Sequence, residues 1–147
     1  MSKRSRVYSI GYEGRSLEEF CAVLAKSDVE ALVDVRLTPW SRRRGFSGSQ
    51  LNVALSAVGV RYLHEPLLGN PKENREAFWN GDLERGRKRF RERLNNGSRV
   101  ALESLAELVS RSPTAILCFE QAEERCHRQV IIDALVESLP DLAVTRL

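Results

Sequence analysis

Short apolar runs alternate along this chain with segments whose apolar residues recur at helical spacing. The apolar runs cover residues 7–10, 31–35, 60–64 and 114–119, and a last short run covers residues 142–145. Such alternation predicts β-α-β units with right-handed connections, and therefore a mostly parallel sheet with helices on both faces. We expect an α/β fold, a three-layer Rossmann-like sandwich around a mostly parallel central sheet.

The segments between these runs carry signals for helix ends. Ser16, followed three residues later by Glu19, forms a capping box ahead of a helical pattern. Ser49 can cap a second helix, which Gly59 ends. Residues 65–81 are interrupted by proline and glycine, and they predict a long irregular connection with at most a short helical turn. Three further helices are predicted over residues 82–96, 102–109 and 130–139.

Length and composition indicate one α/β domain over residues 1–147, because 42% hydrophobic and 29% charged residues are a normal globular balance. The net charge of +3 does not by itself identify a partner. A basic start is followed by a short apolar run that Gly11 ends, so we expect neither a signal peptide nor a membrane anchor. Three cysteines form neither a disulfide framework nor a zinc-finger pattern, which favours a reducing cytoplasm.

Polar residues gather where the predicted strands end. Ligands of parallel α/β sheets bind beyond the carboxyl ends of the strands, so these residues predict a site at that edge. The strand-end residues are Tyr12, Glu13, Asp34, Arg36, His64, Glu65, Cys118 and Glu120, and the sequence Cys126-His127-Arg128 opens the next predicted helix.

Two of the cysteines are candidates for chemistry. Cys126 is predicted at or just inside a helix N-terminus beside Arg125, where a thiolate is favoured, so a nucleophilic or redox role competes with a simple packing role. Cys118 ends an apolar strand and is expected to be mainly a buried structural residue. Their spacing permits a transient disulfide and lacks the close cysteine pairs of zinc proteins, so no metal is expected. The sequence assigns no cofactor.

Arginines near the predicted edge indicate anion binding. Arg36 beside Asp34 forms either an anion clamp, which the pattern favours slightly, or a structural ion pair. Arg128 at a helix N-terminus suits a phosphate or carboxylate. Residues 40–46, which include Arg42, interleave aromatic residues with arginines. This loop can grip a nucleic-acid backbone and stack a base, or it can be a solvated loop pinned by its two aromatic residues, which the pattern favours.

Motifs spread over nearly the whole chain resemble the family catalogued as domain of unknown function 488. The pieces are residues 10–16, 32–36, 41–47, 59–62 and 68–69, with Cys-Phe-Glu at 118–120 and Arg-Cys-His-Arg at 125–128. The resemblance implies a Rossmann-like α/β sandwich in a small cytoplasmic protein, with the two cysteine motifs as the functional centre. It implies no particular reaction. The family often has a proline in the arginine loop, where this chain continues with Arg43-Arg44.

Three hypotheses for function follow from these patterns. The leading one is an enzyme acting on a phosphate-bearing substrate, a nucleotide or nucleic-acid base, with a cysteine or glutamate performing the chemistry. The alternative is a non-catalytic module that binds a nucleotide or nucleic acid, and the third is a cysteine-based redox sensor. The candidate catalytic residues are Cys126, Glu120 and Glu13, and the candidate binding residues are Arg36, Arg42, Arg128, His127, Tyr12, Asp34 and Cys118.

Overall fold

A computed structural model describes residues 5–147, and within them a single five-stranded sheet has all its strands parallel. The strands are β1 (Arg6–Gly11), β2 (Ala31–Asp34), β3 (Arg61–His64), β4 (Thr114–Cys118) and β5 (Ala143–Arg146). They lie in the order β3-β2-β4-β1-β5, which confirms the expected fold. The expectation drawn from the basic start of the chain falls partly on residues 1–4, outside the described residues.

Helices cover both faces of the sheet and complete three layers. The six α-helices found between residues 5 and 147 are α1 (Leu17–Lys26), α2 (Gly48–Ala57), α3 (Lys72–Trp79), α4 (Leu83–Asn95), α5 (Arg99–Arg111) and α6 (Arg128–Ser138). Helices α1 and α2 share one core with the sheet, and α4, α5 and α6 share the core on the opposite face. None of these helices has the length and hydropathy that crossing a membrane requires. The connection after β1 leads to α1 on one face, and the connection after its neighbour β4 leads to α6 on the other face. Because the two connections leave in opposite directions, a crevice opens between them at the carboxyl edge of the sheet.

Local signals place most helix ends where the sequence predicts them. The Ser16 hydroxyl accepts a hydrogen bond from the Glu19 backbone N–H at 3.1 Å, as a capping residue should. The second helix begins at Gly48 with Ser47 as its N-cap residue, two residues before the predicted capping residue Ser49. It ends before Gly59, whose φ of +78° is a conformation that favours glycine.

The prediction of an irregular connection over residues 65–81 is wrong. This segment forms a short 3₁₀ helix, Pro66–Leu68, and the eight-residue helix α3. Asn74 and Phe78, four residues apart, form a buried face, and the Asn74 amide donates to the Gly86 carbonyl oxygen at 3.0 Å. Packing of this face against α4 overrides the proline and glycine signals, which mark only the start of the segment.

Candidate functional site

The crevice at the carboxyl edge of the sheet holds a cavity of about 250 Å³. The loops after β1, β2 and β4 and the helix α3 enclose it, so residues distant in sequence meet there. The cavity lining includes seven residues from the strand ends and the Cys-His motif: Tyr12, Arg36, Cys118, Phe119, Glu120, Cys126 and His127.

The loop after β4 crosses the end of β1, and Gly11 permits this close approach. A Cβ atom at Gly11 would lie 1.9 Å from the Glu120 carbonyl oxygen. The Glu13 carboxylate accepts a hydrogen bond from the Gln121 backbone N–H at 3.1 Å and fixes the same loop. Glu13 is exposed and lies outside the cavity lining. Its contacts favour the structural alternative for a glutamate, so its predicted catalytic role remains a prediction.

Cys118 and Cys126 are joined by a disulfide at the floor of the cavity. Two groups of Arg128 donate hydrogen bonds to these sulfurs. Nη1 lies 2.6 Å from Cys118 Sγ, and the backbone N–H lies 3.4 Å from Cys126 Sγ. Cys126 precedes α6, which begins at Arg128 with His127 at the N-cap position. A nucleophilic role for Cys126, as proposed from the sequence, therefore requires the reduced pair.

His127 is buried beside the disulfide and has a defined tautomer. Its Nε2 lies 2.9 Å from the Val35 carbonyl oxygen, which can only accept, so Nε2 carries the hydrogen. Nδ1 is then an unprotonated nitrogen 3.6 Å from Cys126 Sγ. Burial, with help from the charges of Arg128 and Arg75, lowers the pKa of His127 to about 4, so the ring is neutral near pH 7.

Arg36 and Asp34 form a buried ion pair beneath one side of the cavity. Nε and Nη2 of Arg36 donate to the two carboxylate oxygens of Asp34 at 2.9 and 2.7 Å. Nη1 donates to the Phe46 carbonyl oxygen at 2.7 Å and to the Tyr12 hydroxyl at 3.4 Å. The Tyr62 hydroxyl donates to Asp34 at 2.5 Å, and burial, with this carboxylate, raises the pKa of Tyr62. These contacts favour the ion-pair alternative over the anion clamp.

Arg128 is a buried cation, with a relative exposure of 1%. Its Nε donates to the Ser9 hydroxyl at 2.6 Å, and Nη2 lies 3.4 Å from the Gln121 carbonyl oxygen. Among residues 5–147 no carboxylate lies within ion-pair distance of it. Burial lowers the pKa of Arg128 to about 10, and nearby glutamates oppose this effect. A positive charge thus sits directly behind the disulfide.

The arginine loop is pinned on one side and exposed on the other. Phe46 is buried and stacks on Tyr12 with ring centroids 4.6 Å apart, and Arg43 donates to the Tyr12 carbonyl oxygen at 3.1 Å. Trp40 is 63% exposed and lines the cavity. Arg42 is exposed and lies outside the cavity lining, so its predicted binding role remains a prediction. Arg43, which sequence reasoning passed over, holds the loop.

Glu120 is the carboxylate that the fold brings into the cavity. Its Oε2 lies 3.4 Å from Cys118 Sγ. Burial raises the pKa of Glu120, and Glu13 adds to the rise. Arg128 and a hydrogen bond from Trp79 oppose this shift. The carboxyl group is therefore protonated more readily than an exposed glutamate.

Sequence reasoning missed one wall of the cavity, which α3 and the residues before it provide. Asn70, Arg75, Phe78 and Trp79 all line the cavity. Their helix has a recognisable signal, because Pro71 precedes a run of good helix formers and the buried positions 74 and 78 have helical spacing. Trp79 is 64% exposed, so this wall presents a large aromatic surface to the solvent side of the cavity.

Comparison with known proteins gives one result for the chain. No curated protein and no solved structure matches it. A family model described as a domain of unknown function DUF488 matches residues 16–135, well over half of the 147 residues. The matched range includes Glu120, the disulfide and the Cys-His-Arg motif. The chain therefore belongs to the domain of unknown function DUF488 family.

Proposed function

We infer that the protein is an enzyme acting on a nucleotide or a nucleic-acid base, with Glu120 as the group that exchanges a proton with the substrate. The observation that carries this proposal is the position of Glu120 in a cavity of about 250 Å³ walled by aromatic side chains. A nucleobase is flat and carries hydrogen-bonding groups along its edge, so it needs apolar faces and a polar group at the end of the slot.

The aromatic walls support a flat ligand. Trp40, Trp79 and Phe119 line the cavity and are 63%, 64% and 42% exposed. Large apolar side chains that remain exposed around one cavity indicate a binding surface. Stacking on such side chains contributes about 1–3 kcal/mol per base.

Cations at the cavity support a phosphate on the ligand. Arg75 and Arg125 line the cavity, and the described part of the chain offers neither guanidinium a carboxylate within ion-pair distance. An unpaired guanidinium at a cavity is a good partner for a phosphate. We therefore assign phosphate binding to these two residues and not to Arg36, whose guanidinium already donates to groups of the protein.

Glu120 has the environment of an acid–base group. It lies on the cavity lining beside Cys118, and burial raises its pKa. A carboxyl group whose pKa is moved toward neutrality both gives and takes a proton more effectively in catalysis. Trp79 lines the same cavity, so the carboxyl group lies on a cavity with an aromatic wall.

The two tryptophans provide the test of binding. The chain has only Trp40 and Trp79, and both line the cavity, so a stacked base quenches the tryptophan fluorescence of the protein. Nucleoside monophosphates and free bases are titrated against this signal, and the same mixtures are analysed for products by mass spectrometry. We expect saturable quenching that weakens in high salt, because phosphate contacts are screened. A fluorescence signal that no nucleotide or base changes would overturn the proposal.

The variant Glu120→Gln tests the catalytic role. It keeps the shape of the side chain and removes the exchangeable carboxyl proton, so turnover is lost while quenching is retained. Glu124→Gln is the matched control, since Glu124 is an exposed glutamate of the following segment outside the cavity lining. Binding without turnover in the unmodified protein would favour the alternative of a non-catalytic binding module.

The disulfide favours a redox sensor as a second candidate function. Cys118 and Cys126 are bonded directly beneath the cavity, so their oxidation state changes the floor on which a ligand rests. The protein is treated with hydrogen peroxide or a reducing phosphine, and mass spectrometry then identifies linked peptides. A sensor requires the link to appear and disappear between the two treatments. Cysteines that stay unlinked under oxidant would exclude it.

A further inference from the structure

We propose that Cys118, Cys126 and His127 bind a zinc ion when the two cysteines are reduced. One ligand atom from each, the two sulfurs and a ring nitrogen, lies within 4.8 Å of the others, and all three residues are buried. Thiolate sulfur and imidazole nitrogen are preferred ligands of zinc, and three protein ligands leave one of its four positions open. Zinc binding goes beyond the proposed function and does not depend on it.

The tautomer and the ring orientation of His127 suit a metal ligand. Histidines that bind metals almost always donate their second ring N–H to a fixed acceptor, which sets the tautomer and the ring orientation. The Val35 carbonyl oxygen accepts from Nε2 at 2.9 Å and leaves Nδ1 unprotonated on the side of the sulfurs, 3.6 Å from Cys126 Sγ. Because Nε2 carries the hydrogen, the lone pair of Nδ1 faces the sulfurs and is available for coordination.

Both sulfurs accept hydrogen bonds from N–H donors, which is the environment of cysteine thiolates in proteins. Cys118 Sγ accepts from Arg128 Nη1 at 2.6 Å, and Cys126 Sγ accepts from the Arg128 backbone N–H at 3.4 Å. N–H donors and a positive charge stabilise the deprotonated sulfur that binds metals. Two thiolates balance the charge of a divalent zinc ion, and Arg128 supplies hydrogen bonds from outside the metal's own ligands.

The backbone spacing also fits two separate sulfurs. The Cα atoms of Cys118 and Cys126 are 7.6 Å apart. Disulfide-linked cysteines usually have Cα atoms about 4.4–6.8 Å apart. Two sulfurs that share a tetrahedral zinc ion lie roughly 3.8 Å apart, as follows from zinc–sulfur bonds of about 2.3 Å. The wider backbone spacing therefore suits shared coordination.

The three proposed ligands share the cavity with Glu120. Glu120 lies 3.4 Å from Cys118 Sγ. A fourth zinc ligand would therefore have access from the cavity, where a carboxyl group lies close to the sulfurs. The sequence does not predict this site, because seven residues separate the two cysteines, whereas the cysteine pairs of zinc motifs are usually closer.

Loading requires reduction and then release of protons. A reducing phosphine takes oxygen from water and delivers two electrons and two protons to the disulfide, which yields two thiols and a phosphine oxide. Binding of zinc then displaces the two thiol protons into solution. Disulfide and zinc are thus mutually exclusive on the same two sulfurs, which allows a test within one unaltered chain.

Cobalt(II) serves as the spectroscopic substitute for zinc. The phosphine-reduced protein should take up one equivalent of cobalt and develop thiolate-to-metal charge-transfer absorption in the near ultraviolet with the visible bands of a tetrahedral ion. Zinc should displace the cobalt and abolish these bands. The oxidised form of the same protein should show no bands, and this comparison does not require any variant to fold. Reduced protein without thiolate-to-cobalt absorption would overturn the proposal.

Two cysteine variants locate the site. Cys126→Ser should lose the charge-transfer bands, whereas Cys21→Ser should keep them, because Cys21 is the free cysteine in α1 and lies away from the cavity. Bands that persist unchanged in Cys126→Ser, or vanish in Cys21→Ser, would contradict the assignment. Nucleotide quenching is measured on the same samples. Cobalt bands without quenching would count against the proposed function alone, and quenching without bands would count against the zinc site alone.

Discussion

Replacing Asp34 with asparagine should destabilise the protein by about 3–5 kcal/mol, the usual cost of removing one member of a buried ion pair. Asp34 is 0% exposed and Arg36 is 8% exposed, so the guanidinium would lose its counter-charge without access to water. Asparagine keeps one acceptor oxygen, but its amide group would face two donors in either orientation: Arg36 Nη2 and the Tyr62 hydroxyl at the Oδ2 position, or the Arg36 backbone N–H and Nε at the Oδ1 position. Each hydrogen bond to a charged group is worth about 1.5–3 kcal/mol, which agrees with the total.

Urea denaturation followed by circular dichroism measures this loss. With an m-value of about 1.5 kcal/mol per molar urea, the midpoint should fall by about 2–3 M. Glu103→Gln is the control, because Glu103 pairs with Arg99 on the surface, where both side chains are more than half exposed. Removing that pair should cost no more than about 0.5 kcal/mol. If Asp34→Asn is too unstable to purify, Tyr62→Phe removes one hydrogen bond to Asp34 and should cost about 1.5–3 kcal/mol.

An Asp34→Asn midpoint no lower than that of Glu103→Gln would refute this reasoning. It would mean that Arg36 is not held by Asp34, and it would revive the anion clamp that the sequence favours. The two alternatives also differ in ligand binding. A clamp loses phosphate affinity without a large loss of stability, whereas a structural pair loses stability first.

Three further predictions test the geometry of the site. Gly11→Ala should lower the free energy of unfolding by about 3 kcal/mol and weaken nucleotide quenching, because its Cβ would lie 1.9 Å from the Glu120 carbonyl oxygen and would push that loop away. The control is Gly97→Ala, whose Cβ would have no atom within 4 Å, and it should change neither thermal unfolding nor nucleotide binding. Denatured protein should take up one equivalent of iodoacetamide before reduction and three afterwards, and native Cys21 should react only at high pH because burial raises the pKa of its thiol. Trp79→Ala should weaken nucleotide binding about 5- to 150-fold, as loss of one stacking contact of about 1–3 kcal/mol implies, measured by quenching of Trp40.

The sheet could be predicted because its strands are nearly pure apolar runs. Residues 114–119 are flanked by turn residues and have no helical pattern that competes, and the structure places β4 there at the centre of the sheet. Helix α3 has a weaker signal in the sequence, in Pro71 and the helix formers that follow it. Its apolar content is low, and it is held by Asn74 and Phe78 packing on Gly86, a tertiary contact that local propensity does not contain.

The candidate site was predictable in its place and less so in its roles. The strand-end rule brings Glu120, Cys118 and Cys126 to one edge, and the structure has them on one cavity. The rule does not predict which of these polar side chains make their hydrogen bonds to other groups of the protein instead of to a ligand. Arg36 uses its guanidinium on the buried Phe46 carbonyl oxygen and on Asp34, because buried hydrogen-bonding groups need partners, and Glu13 fixes an exposed loop through the Gln121 backbone N–H.

The buried positive charge of Arg128 requires negative charge close to it within the site. A guanidinium 1% exposed is costly to bury unless negative charge lies close to it. Its direct partners include the hydroxyl of Ser9, the carbonyl of Gln121 and the sulfur of Cys118, which are neutral groups when the disulfide is closed. Glutamates at a greater distance only partly restore its pKa, which stays at about 10. Reduction gives a thiol at the sulfur in contact with Nη1, and loss of its proton to solvent leaves a thiolate that offsets the charge of Arg128, so this buried arginine stabilises the reduced and deprotonated pair more than the disulfide.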